Sequence, residues 1–120
     1  MASPCIILTT AGSKREGEKI ARALVGRKLA ACVNCVPAAS IFRWQRKIER
    51  ASEVLLVIKS TRAAFAEVAA AIRELHSYEL PECIQLAITA GPEAYMNWIS
   101  ENVAIPKRAT KSKARKKRKA

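Results

Sequence analysis

The sequence predicts an α+β fold: a ferredoxin-like βαββαβ sandwich with a long central β-hairpin and a C-terminal helix. Three observations predict the subunit. Short apolar runs rich in β-branched residues alternate with stretches of helical spacing. The segments fall in the order strand, helix, strand, strand, helix, strand. The two middle strands are separated by a few turn residues, so they pair directly while the helices cover one face of the sheet.

Residues 5–10, with Ile6, Ile7 and Leu8, read as a buried strand. Ser13 and Glu16 have capping-box spacing, the hydroxyl taking an orphan amide and the carboxylate reaching back. A helix over about residues 13–27 follows, with Ile20, Ala21 and Leu24 along it and Gly26 near its end. Residues 31–36 and 40–45 read as strand interrupted at Pro37. Gln45-Arg46-Lys47 is the expected hairpin tip, and residues 48–59 return through the apolar run Val54-Leu55-Leu56-Val57-Ile58. Phe65, Val68, Ile72 and Leu75 recur at helical spacing and form an amphipathic stripe. Residues 83–89 read as the last strand. Gly91-Pro92-Glu93 opens the final helix, with proline in its first turn and Tyr95, Trp98 and Ile99 on one side.

The length of 120 residues suits one domain, residues 1–103, followed by a basic tail, residues 104–120. The chain carries 22 Lys and Arg against ten acids, all of them glutamate, and nine of the basic residues follow Val103. The domain therefore keeps 13 basic residues against ten glutamates and is nearly balanced. Without aspartate there is no EF-hand loop and no Ser-His-Asp triad. No run approaches the roughly 18 apolar residues that a membrane span needs, so no membrane partner is expected. Met1-Ala2-Ser3-Pro4 leads straight into the first strand without a basic n-region and long apolar stretch. The expected address is cytoplasmic.

The middle strands are long beside their neighbours, and their outer part carries Ile41, Phe42 and Trp44. An apolar ribbon that overhangs its own domain calls for a partner surface. The sequence thus predicts a homo-oligomer in which the hairpins contact neighbouring copies.

His76-Ser77-Tyr78-Glu79-Leu80-Pro81-Glu82 holds the only histidine, with two carboxylates and a phenol beside it. It lies where the helical pattern stops and the strand pattern begins. Two readings stand: a site for metal or proton chemistry, or a satisfied corner whose imidazole is hydrogen-bonded internally.

Four stretches, read together, resemble the CutA divalent-cation (copper) tolerance family. They are Leu29-Ala30-Ala31-Cys32-Val33-Asn34, Ser40-Ile41-Phe42-Arg43-Trp44 with Lys47-Ile48, Ile58-Lys59-Ser60, and Leu75 through Glu82. Tyr95-Met96-Asn97-Trp98-Ile99 extends the likeness into the last helix. The resemblance implies a ferredoxin-like homotrimer with embracing hairpins, involved in divalent-cation tolerance and binding copper or another divalent metal weakly. Phe42, Arg46 and Ser77 stand where the family pattern has tyrosine, a small turn residue and proline. Arg46 implies either a turn without positive φ or one under strain. The basic tail has no counterpart in the pattern.

Imidazole and thiolate suit Cu²⁺, and carboxylates broaden the choice, so His76, Cys32, Glu79 and Glu82 are the candidate metal ligands. Trp44, Lys59 and Tyr78 are candidates for a cleft between subunits, where a small anion or metabolite could bind. Cys32-Val33-Asn34-Cys35 spells C-x-x-C, but within a strand the two thiols point to opposite faces. No enzyme is expected: no nucleophile stands beside a base, and no glycine-rich phosphate loop is present. Lys113, Arg115, Lys116, Lys117, Arg118 and Lys119 make the tail a candidate for polyanions such as nucleic acid, held through phosphates because the tail has no aromatic residue.

Overall fold

The computed structural model describes residues 3–104. The tail candidates Lys113, Arg115, Lys116, Lys117, Arg118 and Lys119 lie outside the described residues. Strand β1 (Pro4–Ala11) leads to α1 (Lys14–Gly26), then to the hairpin strands β2 (Cys32–Trp44) and β3 (Lys47–Thr61). A 3₁₀ turn (Arg62–Ala64) runs into α2 (Phe65–Leu75), followed by β4 (Ile84–Ala87) and α3 (Glu93–Glu101). The four strands form one antiparallel sheet in the order β2-β3-β1-β4.

Strand alternation builds the core. Cys5, Ile7, Thr9 and Ala11 of β1 are buried, and their register partners on β3 are Ser60, Ile58, Leu56 and Val54. Against this face pack Ile20 and Leu24 of α1, Val68 and Ile72 of α2, and Ile99 of α3. Burying each of these large side chains contributes about 1.5–3 kcal/mol. Gly17 sets the closest approach of α1 to β3, since a Cβ there would lie 3.2 Å from Val54 Cγ1. On the other face, Leu8 and Ile6 stand in register with Ile84 and Leu86, which are 49% and 47% exposed. No described helix covers that apolar side.

The hairpin carries the clearest departures from expectation. β2 runs unbroken through Pro37, which pairs with Val54. As the edge strand of the sheet, β2 can turn the nitrogen of proline away from the ladder, so no bond is lost. Gln45 and Arg46 both have positive φ, 51° and 72°, as a two-residue type I′ turn requires. Arg46 therefore occupies a strained backbone position that favours glycine. Ile41 is 73% exposed on the overhanging ribbon, and Ile48, Phe42 and Trp44 are exposed with it.

The helices differ at their ends. Gly26 is the last helical residue of α1, in line with its expected place near the helix end, and Lys28 takes the left-handed conformation, with φ 60°. Leu29 N–H donates to Leu24 O and Lys28 N–H to Val25 O, a Schellman closure. Strand β4 is shorter than the predicted segment. In α3, Pro92 is the N-cap rather than the first helical residue, and only Ile99 is buried. Tyr95 and Trp98 stack on each other at 5.5 Å, both more than 40% exposed. No described helix is long and apolar enough to cross a membrane.

Candidate functional site

The corner after α2 is built on His76, which caps the helix in an extended conformation with φ −87° and ψ 143°. Its side chain is fully buried. Nδ1 accepts the Tyr78 N–H at 3.0 Å, which places the ring proton on Nε2, 2.6 Å from the Thr10 carbonyl oxygen. The imidazole thus ties the corner to the end of β1 with both nitrogens engaged. The Tyr78 ring lies against it at 4.6 Å.

Glu16 is the corner's second anchor. Its carboxylate accepts the Ser77 N–H at 2.7 Å, the Ser77 hydroxyl at 3.1 Å and the Gly12 N–H at 3.3 Å. It also lies 3.8 Å from His76 Nδ1. Burial pushes this carboxyl upward, but the bonds from Ser77 and Gly12 outweigh it and hold Glu16 below the ordinary carboxylate range. Ser13 Oγ accepts the Glu16 N–H at 3.1 Å, so the serine half of the capping box forms. The Glu16 side chain bonds one residue earlier, at Gly12, and across to the corner. The capping spacing exposed this residue in the sequence; its second partner, 61 positions away, was not legible there.

Tyr78 reaches from the corner to the hairpin, its hydroxyl donating to Glu53 Oε2 at 2.7 Å. Burial first, and then the Glu53 carboxylate, push its pKa up to about 12. The phenol is therefore a donor throughout the physiological range. Beside this bond opens a cleft of about 930 Å³ between the hairpin and the corner. Trp44, Tyr78, Glu79 and Glu82 line it, together with Glu49 and Glu53. The wall carries four carboxylates and one cation, Arg50. Such a lining attracts cations rather than anions.

The other predicted site residues lie elsewhere in the subunit. His76 sits behind the cleft. Cys32 and Lys59 are register partners on β2 and β3, outside the cleft lining. The Lys59 amino group is hydrogen-bonded to Asn34 Oδ1. Cys32 pairs with Lys59 and Cys35 with Leu56, so alternation sends the two thiols to opposite faces. All four cysteines are free. Burial raises Cys5 to about 11 despite the charge of Arg62. Among the described residues, no three or more His, Cys or Glu side chains converge on a point that could hold a metal ion. The cleft carboxylates are spread around its walls, Glu49 and Glu53 on β3 and Glu79 and Glu82 on the corner.

Comparison with known proteins places this geometry. Residues 5–102 match the family model described as CutA1 divalent ion tolerance protein. The divalent-cation tolerance protein CutA of Thermus thermophilus is 41% identical over 98 residues, covering 81% of this chain and 95% of that protein. The structure of the periplasmic divalent cation tolerance protein CutA from Archaeoglobus fulgidus superposes with a TM-score of 0.82 at 40% identity, covering 84% of this chain and 99% of that one. CutA1 from Oryza sativa gives a TM-score of 0.84 at 30% identity, over 88% and 98% of the two chains.

Proposed function

The chain belongs to the CutA1 divalent ion tolerance protein family, and from that membership we propose a non-enzymatic role in divalent-cation tolerance, exerted by a homotrimer of ferredoxin-like subunits that binds Cu²⁺ or a similar divalent ion weakly. The observation that carries the reading is the cleft, where Glu49, Glu53, Glu79 and Glu82 face the space between hairpin and corner. Spread carboxylates suit an exchangeable hard or borderline cation, bound without the closed cage of a resident cofactor. Glu79 and Glu82 are the first contacts. His76 joins a ligand set only by giving up its bond to Thr10 or Tyr78, and Cys32 only if a second copy brings it to the cleft.

The oligomer is supported by two apolar surfaces that one subunit leaves open: the ribbon of Ile41, Phe42, Trp44 and Ile48, and the sheet face at Ile84 and Leu86. Both are continuous with strand edges, and the occupant we assign is another copy of this chain. Four free thiols suit a reducing compartment, hence a cytoplasmic address.

Calorimetric titration of Cu²⁺ into the wild type and into Glu79→Gln/Glu82→Gln tests the metal reading. The double variant is expected to lose most of the binding heat; superimposable isotherms would overturn it. Sedimentation equilibrium tests the assembly, with three subunits expected and a monomer at micromolar concentration fatal to it.

A further inference from the structure

We infer that the cleft between hairpin and corner binds a linear aliphatic polyamine, its ammonium groups on separated carboxylates and its methylene chain along the aromatic wall. This rests on the reading of the cleft as a cation site and names an organic class of cation for it. The spacing of the acids carries the inference. Glu49 and Glu53 alternate with Arg50 and Ser52 along β3, so both stand on one face of the hairpin with Ala51 between them. At about 3.4 Å per residue their Cα atoms lie about 13–14 Å apart. The oxygens around one hard cation lie within about 5 Å of each other, because each is about 2.0–2.6 Å from the ion. One metal ion therefore engages one end of this row and leaves the other end unanswered.

The wall beside the acids is apolar. Register sets Phe42 opposite Glu49 and Ser40 opposite Ala51 on the same face, and Trp44 continues that face toward the tip. Phe42, Trp44 and Leu80 all line the cleft, and each of the two rings is 41% exposed. Rings beside carboxylates suit an alkylammonium, whose charge is drawn to a ring face while its methylenes keep apolar contact. A hydrated metal ion gains nothing from the methylene contacts. Among the described residues none of the four cleft carboxylates is in an ion pair, and Glu53 accepts the Tyr78 hydroxyl through one oxygen, Oε2. Arg50, the cation of the lining, has Ile41 as its register partner, so alternation turns it away from the row. Lys47, opposite Trp44, is outside the lining and bounds the row at the hairpin tip.

Length selects the ligand within its class. A triamine with three- and four-carbon linkers has nine bonds between its terminal nitrogens and spans about 11 Å in zigzag. With a charge-assisted hydrogen bond of about 2.8 Å at each end, it fits the distance from Glu49 to Glu53. Its middle nitrogen is left for the corner, where Glu79 and Glu82 line the opposite wall. A four-carbon diamine spans about 6 Å and answers one end only. The volume of about 930 Å³ is that of a small-molecule site. Ile41 and Ile48 alternate to the other face of the hairpin, so the ligand and a second copy of the chain do not compete for them.

The test is calorimetric titration of the full chain with spermidine, putrescine and Mg²⁺ at one ionic strength. Spermidine is expected to bind about tenfold more tightly than either dication, two further contacts being worth about that factor. Glu49→Gln should weaken spermidine about fivefold, and Trp44→Ala by a similar factor, with Trp44→Phe recovering most of the loss because a ring remains. Glu49 is exposed and outside the core, so its variant decides the matter even where Trp44→Ala alters assembly. Putrescine or Mg²⁺ binding as tightly as spermidine overturns the inference, since charge alone would then account for the heat. Unchanged spermidine affinity in Glu49→Gln overturns it too. Cu²⁺ titrated in parallel separates the two readings: spermidine inert with Cu²⁺ heat intact removes the polyamine alone, and the reverse removes the metal alone.

Discussion

The Tyr78 hydroxyl donates a 2.7 Å hydrogen bond to Glu53 Oε2, joining the corner after α2 to the base of the hairpin across 25 positions of sequence. Around this bond the cleft takes its shape, because Glu53 lies on β3 while Glu79 and Glu82 follow Tyr78 on the corner.

Removing the hydroxyl with Tyr78→Phe is expected to cost about 1–2 kcal/mol, the range for a partly exposed bond to a charged acceptor. The same bond should shape the alkaline limb of stability. Tyr78 is raised from 10 to about 12 in the folded state. Its contribution is complete below pH 10 and is lost as pH rises through about 12. Urea midpoints at pH 9 and 11.5 should fall less in Tyr78→Phe than in the wild type, at fixed protein concentration.

Glu16 should govern part of the acid limb. Its carboxyl is lowered from 4.5 in the folded state, so its stabilising contribution is present above that value and lost as pH falls through the folded one. Glu16→Gln is expected to destabilise the protein by about 1 kcal/mol at pH 7 and to flatten the midpoint change between pH 6 and pH 3. A variant as acid-sensitive as the wild type would contradict this role.

The hairpin tip should be improvable. Arg46 holds φ 72° in a turn that favours glycine. Arg46→Gly is expected to raise stability by about 1 kcal/mol, the steric cost of the left-handed region for a residue with a Cβ. Thermal denaturation is the check, and a lowered midpoint would show that the arginine side chain has a compensating contact.

Thr9 is fully buried on the core face of β1, and its hydroxyl has no hydrogen-bond partner among the described residues. Valine has the same shape without the unsatisfied group. Thr9→Val should therefore stabilise the fold by about 1 kcal/mol or more, measured by urea denaturation.

Much of the architecture was legible because local chemistry dictates it. The apolar stripe at Phe65, Val68, Ile72 and Leu75 lies within the observed α2, and Ser13 caps α1 as its spacing implies. Where the reading failed, the deciding partner was remote. Pro37 looks like a strand breaker until the sheet order makes β2 an edge. Strand β4 reads as residues 83–89 until its pairing with β1 limits it to Ile84–Ala87.

The corner shows the same division. Sequence alone determined that His76, Tyr78, Glu79 and Glu82 would lie together, because seven consecutive residues cannot separate far. It also located the charge, the hairpin and the family pattern. Only the tertiary structure decided what each group does. It commits both His76 nitrogens to Thr10 and Tyr78, draws Glu16 across from α1, and leaves Glu79 and Glu82 facing Glu49 and Glu53 over an open cleft. The physical reason is that spacing along a chain sets which groups are neighbours, whereas a hydrogen bond or a shared cavity depends on which distant strand the fold brings within about 3 Å.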